Sequence, residues 1–230
     1  MPLIEFQNVA HHYATGAEPR AVLTGIDVRA DERRIGVIGA NGSGKSTFAR
    51  MINGLVLPTS GTVRVDGQDT RRHARQIRRE VGFVFTNPDS QIVMPTVRED
   101  VAFGLRRLKL PLPEMRARVD EALARFDLTD LADHPAHLLS GGQKQLLALA
   151  SVMVMRPRLV VLDEPTTLLD LRNEKRIRSE IDRLDEQVVL VTHHLHLLDS
   201  FERVLVFEGG GLVCDADPDT ARATYLELVT

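Results

Sequence analysis

An excess of charge of either sign is missing from this chain. Its 230 residues hold 29 Lys and Arg against 32 Asp and Glu, a formal net charge of -3. That balance gives no general drive toward nucleic acid. Cysteine is almost absent: Cys214 stands alone, which excludes an intrachain disulfide and fits a reducing compartment. Long apolar runs are missing too. The longest, Leu146 to Met155, stops at Arg156, short of the roughly 20 residues that span a bilayer as a helix. The start, Met1 to Glu5, has neither the charged beginning nor the apolar segment of a signal peptide. There is no internal repeat and no low-complexity linker. These absences lead us to expect a chain that stays in water and reaches a membrane only through other chains. What it does have is core material: 43% of its residues are hydrophobic, enough for one large domain or two small lobes.

One stretch organises the rest. Gly39-Ala40-Asn41-Gly42-Ser43-Gly44-Lys45-Ser46 fits G-x-x-x-x-G-K-[ST], a loop whose backbone N–H groups gather round a phosphate. Lys45 would place its charge on the outer phosphates, and the Ser46 hydroxyl suits a hard cation such as Mg²⁺. The surroundings agree. Arg34 to Ile38 reads as a buried strand, and Thr47 to Asn53 as a helix stopped by Gly54. The helix N-terminus adds its partial positive charge to the same anion site.

Upstream, Leu3 to Val9 reads as a strand with Ile4, Phe6 and Val9 inward. Tyr13 follows, either a half-buried edge aromatic or a ring that stacks on a nucleobase. Ala21 to Arg29 and Thr62 to Gly67 are further strands. Arg71 to Arg79 carries a basic cluster with no interleaved aromatics, which reads as a solvated helical face. The strand Val81 to Phe85 ends in the turn-rich loop Thr86 to Gln91. Thr96 and Glu99 form a capping box for one helix, and Pro113 opens another with Met115, Val119, Ala122, Leu123 and Phe126 on one face. Ser140-Gly141-Gly142-Gln143 is a second capping box, before the apolar run. Leu159 to Asp163 is a buried strand ending in two carboxylates, Asp163 and Glu164. They could cap the next helix. Beside a phosphate loop, Asp163 would instead serve Mg²⁺ and Glu164 would act as general base on water. Val188 to Val191 is the next strand, with Thr192 and His193 at its end, where open parallel sheets place site residues. His193, His194 and His196 lack a neighbouring Cys or acid at metal spacing, which argues against a metal cluster. A hairpin over Arg203 to Cys214 and a helix after Pro218 close the chain.

Taken together, these pieces resemble the ATP-binding subunit of ABC transporters over essentially the whole chain. Gly39 to Ser46 matches Walker A, Leu139 to Gln143 the signature, Leu159 to Glu164 Walker B, Thr167-Leu168-Leu169-Asp170 the D-loop and His193 the switch histidine. The resemblance implies an α/β fold: a RecA-like phosphate-loop nucleotide-binding core with an antiparallel β subdomain and an inserted α-helical subdomain. We expect one ABC-type domain over 1–230, its helical subdomain at about 92–155. It implies ATP and Mg²⁺, with Gly39, Ala40, Asn41, Gly42, Ser43, Gly44, Lys45, Ser46 and Thr47 holding the nucleotide and Tyr13 stacking on adenine. Ser46 and Asp163 would serve the Mg²⁺, Glu164 would polarise water and His193 would contact the γ-phosphate. Ser140, Gly141, Gly142 and Gln143 would act in trans, on ATP held by a second ATPase subunit.

A narrower likeness, carried by Asn87 to Val93 and Pro95 to Gly104, is to the energy-coupling-factor branch, which imports vitamins and metal ions. It implies an integral membrane coupling subunit and a substrate-binding membrane subunit, a place on the cytoplasmic face of the membrane, and no nucleic acid. The chain ends soon after its core, most like the ATPase of a biotin importer, with a cobalt or nickel importer, or that of another vitamin, as the alternative. A non-transport ABC ATPase acting on nucleic acid would predict a coiled-coil insertion, two cassettes or a basic surface, and none is visible. Two departures stand out. Thr86 occupies the place of the family's Q-loop glutamine, with Gln91 five residues on. The D-loop is bulkier than the commoner Ser-Ala-Leu-Asp.

Overall fold

The computed structural model describes residues 1–15 and 18–230. The chain divides into two compact units. The first comprises Met1–Val81, Arg158–Asp163 and Asp185–Thr230. Strands β1 (Ile4–Thr15), β2 (Glu18–Ala30), β4 (Ser60–Val65) and β5 (Gln68–Asp69) form an antiparallel sheet in the order β2-β1-β4-β5. Ile4, Phe6 and Val9 are all buried in it, as the sequence pattern expects. Strict alternation would turn Val9 outward. Asn8 at φ 45° sits in a bulge that shifts the register between Phe6 and Val9 and returns Val9 to the core.

The second sheet of this unit is built on β3 (Arg34–Gly39), which pairs in parallel with β8 (Gln187–Val191) and with β9 (Arg203–Glu208). β7 (Leu159–Asp163) pairs in parallel with β8, and β10 (Gly211–Ala216) closes the other edge as an antiparallel hairpin. β3, β7 and β8 are buried at every residue, the pattern of parallel strands covered on both faces. Helix α1 (Lys45–Ile52) joins the two sheets. Phe48 stacks on Phe6 of β1 at 4.3 Å between ring centroids and meets Phe207 of β9 at 5.0 Å. Those three rings fix the helix that follows the glycine-rich loop Gly39 to Gly44. The basic segment is helix α2 (Thr70–Glu80), whose buried residues are Thr70 and Ile77, so the arginines lie on its solvated side. β6 (Val81–Val84) follows α2 directly, and α7 (Pro218–Leu228) is the last helix.

The second unit comprises Gly82–Pro157 and Glu164–Leu184 and is mainly helical. It holds α3 (Val97–Phe103), α4 (Leu112–Arg125), α5 (Gly141–Met153) and α6 (Leu171–Asp182). Both expected capping boxes are formed, Thr96 with Glu99 on α3 and Ser140 with Gln143 on α5. Asp100 is an anchor the sequence did not announce. Its buried carboxylate accepts from the Val93 and Met94 N–H groups at 2.8 and 3.0 Å and from the Ser151 hydroxyl at 2.9 Å. It ties the 92–94 loop to α3 and α5 at once.

Candidate nucleotide site

The loop Gly39 to Gly44 connects β3 to α1 and curls through backbone angles that side chains rarely adopt. Gly39 lies at φ 149°, and a Cβ there would fall 2.1 Å from the Phe207 carbonyl oxygen. Gly44, at φ 103°, precedes α1, and a Cβ on it would meet the Val22 carbonyl oxygen at 2.7 Å. Only glycine fits at either point. The helix begins two residues earlier than the pattern suggested, at Lys45 rather than Thr47, because Gly44 makes the left-handed turn that launches it. Lys45 is buried and donates to the Gly39 and Ala40 carbonyl oxygens, both at 2.8 Å. The Ser43 hydroxyl is buried with no protein partner, an orphan polar atom within the loop, beside Gly39. Such an atom is stabilised by an anionic ligand or by water.

Asp163 ends β7 fully buried. Its Oδ1 accepts from the Ser46 hydroxyl at 2.7 Å and its Oδ2 from Arg50 at 3.2 Å. A hydroxyl and a carboxylate in contact form a hard oxygen pair, the donor chemistry that Mg²⁺ takes. Arg50 is a site residue that the sequence reading passed over. The available signal was its spacing: Ser46 and Arg50 lie four apart, on one face of α1. Val191 of β8 pairs with both Asp163 and Val37. His193 therefore leaves the sheet two residues beyond the strand end that adjoins Asp163, with its ring 4.2 Å from that of His194.

Tyr13 is 38% exposed. Its hydroxyl lies 3.4 Å from that of Thr47, so the ring stands over the start of α1. The edge of His11 supports it at 4.6 Å. His11 is buried, its Nδ1 is 3.3 Å from the Thr59 hydroxyl and its Nε2 has no partner. Burial holds its pKa below the ordinary histidine value, and the neighbouring His12 pushes the same way.

In the second unit, Glu164 begins the loop after β7 at φ 54°, a left-handed conformation uncommon outside glycine. Its carboxylate accepts from the Thr167 hydroxyl at 2.7 Å. Ser140 and Gln143 turn back on each other through their capping box, and Ser140 and Gly141 are the exposed residues of the tetrapeptide. Gly142 has a packing reason: a Cβ there would lie 2.2 Å from the Asn173 side chain on α6. Thr86 is half-buried. Gln91 uses both ends of its amide, accepting from the Phe85 N–H at 3.3 Å and donating to the Ala148 carbonyl oxygen of α5 at 3.0 Å. Leu168, in the loop between β7 and α6, is 65% exposed.

Residues 25–167 match the ABC transporter family. A protein of Deinococcus radiodurans, provisionally named an ABC transporter ATP-binding protein, is 57% identical over 99% of both chains. The biotin transport ATP-binding protein BioM of Rhizobium etli is 47% identical over 91% of this chain and 93% of its own. The energy-coupling factor transporter ATP-binding protein EcfA1 of Caldanaerobacter subterraneus is 42% identical over 94% of this chain and 81% of its own. Among solved structures, the dimeric cassette MJ0796 bound to ADP and Pi superposes with a TM-score of 0.84 at 29% identity, covering 94% of this chain and 98% of that one. The fold is accordingly the RecA-like phosphate-loop core with its antiparallel β and α-helical parts.

Proposed function

The chain belongs to the ABC transporter family of ATP-binding proteins, and from that premise we propose that it powers uptake of a vitamin, biotin first, through separate membrane subunits. It is an ATP hydrolase of the ABC type, converting ATP and water to ADP and phosphate. The observation that carries the site assignment is the loop Gly39 to Ser46 with the Ser46 hydroxyl on buried Asp163 at 2.7 Å. The likeness to BioM supports biotin as the cargo, with cobalt, nickel or another vitamin next.

In this reading the N–H groups of Gly42 to Thr47 and the Lys45 ammonium hold the β- and γ-phosphates, and Tyr13 stacks on adenine. Lys45 exchanges its two carbonyl partners for phosphate oxygens, a change of acceptor that costs little. Ser46 and Asp163 would hold Mg²⁺, which when bound neutralises charge on the outer phosphates. Glu164 takes the proton of the attacking water and His193 steadies the γ-phosphate. Ser140 to Gln143 contribute to the ATP of a second ATPase subunit, a copy or a homologue. Among the described residues no helix is long and apolar enough to cross a membrane. In this reading the membrane step falls to a coupling subunit and a cargo-binding subunit, with this chain at the cytoplasmic face, and the likeness to EcfA1 supports that arrangement.

Purification of the tagged chain from membranes tests the assembly: the expected companions are small integral membrane proteins carrying the cargo, and nucleic acid in their place would overturn it. Calorimetry tests the site. Lys45→Ala should lose most of the ATP affinity, and an unchanged affinity would remove Gly39 to Ser46 from the nucleotide.

A further inference from the structure

The Asp163 carboxylate is engaged on both oxygens, and one partner is a cation. Its side chain is 0% exposed, whereas that of Arg50 is 39% exposed. Arg50 thus reaches inward from solvent, and its Nε is buried on the way without a partner. Ser46 and Arg50, one helical turn apart, grip the same carboxylate at 2.7 and 3.2 Å. A fully buried carboxylate is unfavourable unless compensated, and Arg50 brings a positive charge to its Oδ2 while Ser46 holds Oδ1.

We infer that Arg50 is a positioning residue and built-in counter-ion that keeps the Ser46–Asp163 pair from taking a divalent cation until a nucleotide arrives. This rests on the reading of Ser46 and Asp163 as the Mg²⁺ pair. Charge supplies the mechanism. A guanidinium on one oxygen cancels much of the carboxylate's attraction and repels a doubly charged ion nearby, lowering its affinity by on the order of a hundredfold in a partly screened site. A bound triphosphate brings several negative charges to the same place and reverses the balance. The metal then enters together with ATP, and the empty site does not fill with stray cations. Arg50 also fixes the direction of the carboxylate, so its oxygens are in place before the ion comes.

The full chain tests this, with Mn²⁺ as a paramagnetic probe and free Mn²⁺ read by electron spin resonance. Without nucleotide, the parent protein should bind Mn²⁺ weakly. Arg50→Gln, which keeps polar reach and removes the charge, should bind it at least about tenfold more tightly. Arg50→Lys should return to weak binding, and adding Asp163→Asn to Arg50→Gln should abolish the gain. Mn²⁺ should raise the melting temperature of Arg50→Gln and leave that of the parent unmoved. Should Arg50→Gln fold poorly on its own, recovery of folding in millimolar Mn²⁺ supports the inference and no recovery overturns it. Unchanged Mn²⁺ affinity in Arg50→Gln overturns it as well, as does a gain that survives Asp163→Asn. A parent protein that takes no Mn²⁺ even with ATP would instead sink the assignment of Ser46 and Asp163 to the metal.

Discussion

Gln91 donates from its amide nitrogen to the Ala148 carbonyl oxygen of α5 across 3.0 Å. The same amide accepts from the Phe85 N–H, so this side chain clamps the 86–91 loop onto the helix that Ser140 begins. A second link, Lys144 to Asp89 at 2.7 Å, runs beside it. Gln91 is thereby committed to structure, and Thr86 is left as the candidate for the Q-loop role. Gln91→Ala should cost about 1–3 kcal/mol of stability, read by urea unfolding, and leave ATP affinity nearly unchanged. Thr86→Gln should raise the ATPase rate of the assembled complex. A silent Thr86→Gln beside a Gln91→Ala that folds normally and loses hydrolysis would give the role to Gln91.

Glu164 sits at a left-handed φ of 54°, its carboxylate held by Thr167. Glu164→Gln keeps size and backbone demands, so the fold and ATP binding should survive. Hydrolysis should fall by about 10²–10⁴, measured by phosphate release, and the variant should collect as an ATP-bound dimer. Hydrolysis at the parent rate would exclude Glu164 as the base.

Val93 is 60% exposed, while its own N–H and that of Met94 are pinned to Asp100. An apolar side chain displayed on a fixed backbone suits a partner surface. Ile92, Val93 and Met94 are our candidates for the groove that receives a coupling helix of the membrane subunit. Val93→Asp should leave folding and ATP binding of the isolated chain intact and break assembly in a pull-down. An intact assembly would return these residues to a purely structural role.

His11 supports Tyr13 and carries a pKa below the ordinary value of about 6.5. As pH falls through that value the unfolded chain takes up a proton before the folded chain does. Folding stability therefore drops with falling pH, from about pH 6.5 down to the lowered folded value, and levels off beneath it. Melting temperatures at about pH 7.5 and about pH 5.5 should show a larger drop in the parent than in His11→Gln. Equal drops would clear His11 of the effect.

Local rules decided much of this protein from its sequence alone. The glycine-rich loop Gly39 to Ser46, both capping boxes, the alternation of Ile4 and Phe6 and the continuous apolar runs of β3, β7 and β8 depend on neighbours a few residues apart, and such patterns are written in the chain. Only the tertiary structure decided the rest. Ser46 and Asp163 stand 117 residues apart and meet because β3 and β7 flank β8 in one parallel sheet. Arg50 became part of the site because helix spacing turned it toward that same carboxylate. Gln91 lost its freedom to α5, 57 residues away. Asp100, an ordinary acid in the first turn of a helix by sequence, became the buried anchor of a loop. Sequence spacing fixes which side chains share a face of one element; what lies opposite that face depends on the packing of distant segments, which no local pattern encodes.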